Sequence, residues 1–171
     1  MSLLLLAPPL DWGDALIERL ISQGDEVRVV EPDRERADRW RRLGAHVASG
    51  AVDDADLVER AGHGCRTGIL VAPGSGESSA SEILSALTAA SIDRVVVIAA
   101  EEDTSMLSQL RSQGLDYVYL RAPGKRFRRR SLPAGVIAEA IDAADDLAGH
   151  PHLELDLSQP GAASALRLGS R

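Results

Sequence analysis

The chain has 171 residues, 44% of them hydrophobic and 26% charged, enough for one domain with a sizeable core. Its net charge of -7 argues against a general nucleic-acid binder, and its one cysteine, Cys65, cannot form an internal disulfide or a cysteine metal cluster. Only Trp12, Trp40, Tyr117, Tyr119 and Phe127 are aromatic, so the core is aliphatic, as suits a parallel sheet buried on both faces.

Leu3–Leu6 reads as a buried strand. It is too short to span a membrane, and no basic residue precedes it as in a signal peptide, so a reducing cytoplasm is expected. Ala7-Pro8-Pro9-Leu10-Asp11-Trp12-Gly13 reads as a turn, followed by an amphipathic helix from Asp14 with Leu16, Ile17, Leu20 and Ile21 on one face and Gly24 at its end. Val27–Val30 is the second strand. Asp33 caps a helix that buries Ala37, Trp40 and Leu43 and closes at Gly44. His46–Ala48 is a short third strand, and Asp53 or Asp54 caps the brief helix carrying Leu57 and Val58.

Ile69–Ala72 is the fourth strand. The loop Pro73 to Ser79 leads into a helix with Ile83, Leu84 and Leu87 at core spacing. Val95–Ala99 is the fifth strand, and the next helix carries Met106, Leu107 and Leu110 and stops at Gly114. Tyr117–Leu120 is the sixth strand. A basic loop follows, then a helix with Ile137, Ala140, Ile141, Ala144 and Leu147. Leu153, Leu155 and Leu157 alternate with polar residues, as in an edge strand. The alternation implies an α/β, single-domain, Rossmann-like doubly wound parallel sheet of order 3-2-1-4-5-6, with a seventh strand at the edge. The domain spans residues 1–158, and 159–171 read as a loose tail.

The order of elements points to a dinucleotide, but the phosphate loop is degenerate. A pyrophosphate needs backbone N–H groups at a helix N-terminus, and glycines let it approach. Gly13 alone keeps its place; Ala7 and Leu10 stand where glycines are expected, Pro8 and Pro9 have no N–H, and Asp11 and Asp14 add negative charge. Glu31 ends the second strand eighteen residues beyond Gly13. It is either an acceptor for both hydroxyls of an adenosine ribose, favouring NAD over NADP, or an exposed residue at a strand end. Arg34 and Arg36 soften that preference. Ala7, Leu10, Gly13, Glu31, Arg34 and Ala72 form the candidate cofactor-binding set for NAD or NADP.

Several stretches resemble the atypical short-chain dehydrogenase/reductases, the NAD(P)H-binding, NmrA-like group. They are Gln23–Val30, Leu43–Val47, and above all Leu110-Arg111-Ser112-Gln113-Gly114-Leu115-Asp116-Tyr117-Val118-Tyr119-Leu120-Arg121-Ala122-Pro123. The resemblance runs from Leu3 to about Gln159 and implies the Rossmann-like fold and an NAD(P) cofactor. Three features depart from it. One motif glycine of three is kept, Ser49-Gly50 stands where the group has Gly-Asp, and the group's catalytic Tyr-x-x-x-Lys is absent: Arg121 follows Tyr117 at four, and Pro123 follows Tyr119. The front half, through Glu31-Pro32-Asp33-Arg34-Glu35-Arg36, also resembles the potassium-transport regulatory nucleotide-binding domains.

Lys125, Arg126 and Arg128 belong to a basic run that reads either as a site for an anionic ligand or acidic partner, or as a solvated loop. Gly74–Ser79 reads as an anion cradle or as a flexible loop with a helix cap. His150 and His152 lack a third ligand nearby, so no metal is expected. Without Tyr-x-x-x-Lys no catalytic residue is assigned. The expected function is a divergent NAD(P)-binding-fold protein, non-catalytic, serving as a sensor or interaction module that either keeps or has lost the cofactor. The alternatives are an NAD(P)-dependent oxidoreductase or isomerase and a nucleotide-sensing domain of a transporter. A dinucleotide and a second copy of the chain are the expected partners; nucleic acid and membrane are not.

Overall fold

The structure is a computed structural model that describes residues 1–72, 77–99, 104–122, 132–147, 149, 152–159, 162 and 166. Seven strands run in the order β3-β2-β1-β4-β5-β6-β7. They are β1 (Ser2–Leu6), β2 (Glu26–Glu31), β3 (His46–Ser49), β4 (Thr67–Val71), β5 (Arg94–Ala99), β6 (Asp116–Arg121) and β7 (His152–Asp156). Every adjacent pair is parallel, as right-handed strand–helix–strand connections require. The expected order therefore holds, with the seventh strand in place.

Alternation along each strand divides the core in two. Leu3, Leu5, Val27, Val29, Ile69, Val96 and Val118 face α1 (Leu10–Ser22), α2 (Arg34–Leu43) and α6 (Ala134–Asp145). Leu4, Leu6, Val30, Leu70, Val95, Val97, Tyr117 and Tyr119 face α3 (Ala55–Gly62), α4 (Glu77–Ala89) and α5 (Thr104–Gln113). Leu3, Leu4 and Leu5 are fully buried, so the leucine run is the spine of the sheet, each side chain contributing about 1.5–3 kcal/mol. Within the segment read as a tail, Ala162 and Leu166 are buried against the α1–α6 side.

Local signals set the helix ends. Asp33 accepts from the Arg36 N–H at 2.9 Å, and Asp54 from the Leu57 N–H at 3.0 Å. Gly44 ends α2 at a φ of +104°. One boundary differs from expectation: α1 begins at Leu10, not Asp14. Pro9, at φ -59° and ψ 146°, is its N-cap, and the Gly13 N–H donates to the Pro9 carbonyl at 2.8 Å. A proline's fixed φ and missing N–H cost nothing at that point, where a helix has no acceptor to offer.

At the opposite, amino edge, Arg94 donates to the carbonyls of Ala144 (3.1 Å), Asp145 (2.5 Å), Leu147 (2.7 Å) and Gly149 (3.1 Å). It therefore caps the end of α6, where acceptors have no helical donors. Arg66 adds an ion pair with Asp145 at 2.7 Å, and Thr67 donates to the same carboxylate. On the β3 side, Arg41 reaches round from α2 to donate to the Val47 carbonyl at 3.1 Å and Ser49 Oγ at 2.9 Å.

Candidate functional site

In an open α/β sheet a ligand lies outside the carboxyl ends of the strands, where the strand order reverses. Here that crevice lies over β1 between β2 and β4. Ala7 leaves β1, Glu31 ends β2 and Ala72 follows β4, so these three expected positions meet at one edge. The Ala72 N–H donates to the Ile98 carbonyl at 2.8 Å, which fixes the end of β4.

Ala7 has a φ of +40°, a left-handed conformation that glycine adopts freely and alanine does not. Its N–H donates to the Val30 carbonyl at 2.9 Å, which holds the turn against β2. The loop thus keeps a glycine-type backbone without the glycine. Pro8 is buried against Gly13: a Cβ on Gly13 would lie 3.3 Å from Pro8 Cβ and 3.5 Å from Trp40 Cζ2. Gly13 serves as the point of close packing between the loop, α1 and α2, not as a loop residue. Leu10 stands 45% exposed at the first turn of α1.

Glu31 departs from one of its two expected environments, the exposed strand end. It is fully buried, not exposed at a strand end, and its carboxylate is already engaged. The Asp33 N–H donates to Oε1 at 2.8 Å, and Arg36 Nη2 lies 3.0 Å from Oε2. Burial pushes the Glu31 carboxyl above its ordinary range, against the opposing pull of the Asp33 amide and the Arg36 charge. Oε2 nevertheless has no hydrogen-bond partner, because the Arg36 contact is close but poorly aligned.

Arg36 joins the loop after β1 to the acid that ends β2. Its Nη2 also donates to the Pro8 carbonyl, and its guanidinium carbon lies 5.1 Å from the Trp40 ring centroid. Arg34, expected in the site, is exposed at the start of α2. Asp14, expected to repel a phosphate, is held by Arg39, whose Nε donates at 2.9 and 2.8 Å, and by Trp40 Nε1 at 3.1 Å. The Arg39 hydrogen bonds lower its carboxyl further than burial raises it.

These residues fit a dinucleotide. The first-turn N–H groups of α1 have no acceptor within the helix, and Pro9 supplies no side-chain cap. The Ala7 turn has the required hand, and Glu31 Oε2 is an acceptor without a donor. Lys125, Arg126, Arg128 and Gly74 lie outside the described residues. His152 stacks on Tyr117, with ring centroids 5.2 Å apart. A cavity of about 280 Å³ at the carboxyl ends of β6 and β7 is lined by Leu107, Tyr119, Arg121, Glu154, Leu155 and Asp156.

The family described as the TrkA-N domain matches residues 11–121. No curated protein sequence matches the chain. Among solved structures, ChuY, an anaerobillin reductase from Escherichia coli O157:H7, is similar at a TM-score of 0.71 and 17% identity, over 91% of this chain and 96% of that one. The NADPH-dependent quinone oxidoreductase QOR2 of Escherichia coli, complexed with NADPH, gives a TM-score of 0.76 at 15% identity, over 91% of this chain and 68% of that one. A short-chain dehydrogenases/reductase (wide type) from Veillonella parvula DSM 2008, in complex with NADP, gives 0.67 at 15% identity, over 95% and 96%. The NAD(P)-binding Rossmann-like fold expected from the short-chain dehydrogenase/reductase resemblance is the fold these proteins share with the chain. Among the described residues, no helix is long and apolar enough to cross a membrane.

Proposed function

The chain belongs to the TrkA-N domain family, and from that premise we propose that it binds an NAD(P) dinucleotide at the carboxyl edge and acts as a dinucleotide-responsive binding module, not a catalyst. The observation that carries the binding is the left-handed Ala7 beside the uncapped start of α1. There the diphosphate meets backbone N–H groups at the positive end of a helix dipole. Glu31 takes the adenosine ribose, and Arg36 beside it offsets the charge that would otherwise reject a 2′-phosphate, so NAD and NADP are both ligands of this reading. Support for a non-catalytic role is chemical. The sequence has no Tyr-x-x-x-Lys, and the buried Tyr117 hydroxyl is engaged by Arg111 at 3.3 Å and Glu154 at 3.4 Å.

Thermal denaturation with NAD, NADH, NADP and NADPH tests this reading. A ligand that binds only the folded chain stabilises it by about 2.7 kcal/mol at a hundred times its Kd. Stabilisation by at least one dinucleotide, without turnover of the reduced forms, is the expected result. No stabilisation by any of the four overturns the reading.

The cavity beside Tyr119, Arg121 and Asp156 favours a second reading, a reductase whose substrate sits at the β6–β7 end while the cofactor carries the chemistry. Oxidation of NADPH that depends on an added quinone-type acceptor would select it. Self-association and capture of an acidic partner by Lys125, Arg126 and Arg128 belong to the binding-module reading; sedimentation and charge reversal at those three positions test them.

A further inference from the structure

Arg36 occupies the passage between the loop after β1 and the acid at the end of β2. One nitrogen, Nη2, donates to the Pro8 carbonyl and lies 3.0 Å from Glu31 Oε2. The Trp40 ring, 5.1 Å away, supports the guanidinium from below. The fit is incomplete: Glu31 Oε2 and Arg36 Nε are both buried without hydrogen-bond partners. An unsatisfied buried polar group is costly, so this closure is poised to yield to anything that supplies better partners. A ribose diol is such a partner, since each hydroxyl can donate to the carboxylate.

We propose that Arg36 is a ligand-displaced strap that closes the adenosine half of the site, and that a dinucleotide reaches Glu31 only when Arg36 leaves the Pro8 carbonyl. This inference rests on the dinucleotide reading above. The strap spans from α2 to the phosphate loop, so its release uncouples the start of α2 from Pro8. Ligand binding is thereby converted into a change at the α2 surface. Where the closed form holds nine-tenths of the molecules, apparent affinity falls about tenfold, because only the open fraction binds.

The test is calorimetric titration of the full chain with ADP-ribose and with NADH, in wild type, Arg36→Ala and Arg36→Lys. A parallel titration follows Trp40 emission in a Trp12→Phe background. The alanine variant is expected to bind ADP-ribose several-fold to about tenfold more tightly. The lysine variant keeps the charge but loses the planar guanidinium that lies over Trp40, and is expected to gain affinity as well. Trp40 emission should shift on binding in wild type and much less in the alanine variant. Equal or weaker binding by both variants, with wild type still binding, overturns the strap and leaves the dinucleotide reading standing. If Arg36→Ala does not fold, the lysine variant decides alone. Failure of wild type and variants alike to bind ADP-ribose or any of the four dinucleotides overturns both.

Discussion

Ala7 donates its backbone N–H to the Val30 carbonyl at 2.9 Å while holding a φ of +40°. The hydrogen bond and the strain are two sides of one turn: β1 must break sharply to deliver the chain to α1, and alanine makes the break at a cost. A left-handed conformation costs an L-residue roughly 1–2 kcal/mol, partly offset by the entropy glycine would lose on folding. Ala7→Gly is therefore expected to stabilise the protein by about 0.5–1 kcal/mol in urea denaturation. It should also preserve or strengthen dinucleotide affinity. Ala7→Val should lose stability, because a branched Cβ tolerates this φ still less.

Gly13 makes the opposite demand. A Cβ there would already press on Pro8 Cβ at 3.3 Å and Trp40 Cζ2 at 3.5 Å. Gly13→Val adds two methyl groups to that contact and is expected to destabilise by about 1–3 kcal/mol, the usual range for overpacking. The change should also disturb Arg36 through Trp40, and would show as altered tryptophan emission. Undiminished stability would mean that the loop repacks freely around Pro8.

Glu31 predicts a pH dependence with a definite sign. Burial holds its carboxyl above the ordinary glutamate value of about 4.3. Below that pH the group is neutral in folded and unfolded chains alike. As pH rises, the unfolded chain ionises first and the folded chain bears the cost of a buried charge. Wild-type stability is therefore expected to fall relative to Glu31→Gln from about pH 4.3 upward, as read by urea melts between pH 4 and 8. The reverse trend would show that Arg36 and the Asp33 amide outweigh burial.

Arg94 organises the far edge of the sheet, with four main-chain carbonyls on one guanidinium. Arg94→Met keeps much of the volume and removes every donor. The expected loss is about 2–3 kcal/mol, the scale of a hydrogen bond involving a charged group. Amide exchange should quicken around Ala144, Asp145 and Leu147 before it does in β1. Arg94→Lys should recover only part of the loss, since an ammonium cannot span the same set of carbonyls.

The sheet was legible because its physics is local and repetitive. Leu3–Leu6, Val27–Val30 and Val95–Ala99 are apolar runs of strand length between helical patterns, and Asp33, Asp54 and Gly44 mark helix ends in the expected chemistry. The start of α1 lies four residues before the expected Asp14, because proline and glycine ordinarily mark turns. Here Pro9 sets the entry dihedral and Gly13 sits inside the first turn, where space, not flexibility, selects it. The state of Glu31 was beyond a linear reading. Strand periodicity says which face a residue takes, but not that an arginine five positions on, across a helix cap, folds back over its carboxylate.

Arg41 leaves a mark on how this molecule meets its neighbours. With its guanidinium on the Val47 carbonyl and Ser49 Oγ, an acceptor on the outer strand is already taken, and a cation stands in the path of any incoming chain. A foreign β-segment trying to extend the sheet there would have to evict that side chain and bury its charge. That flank is thereby guarded against edge-to-edge growth.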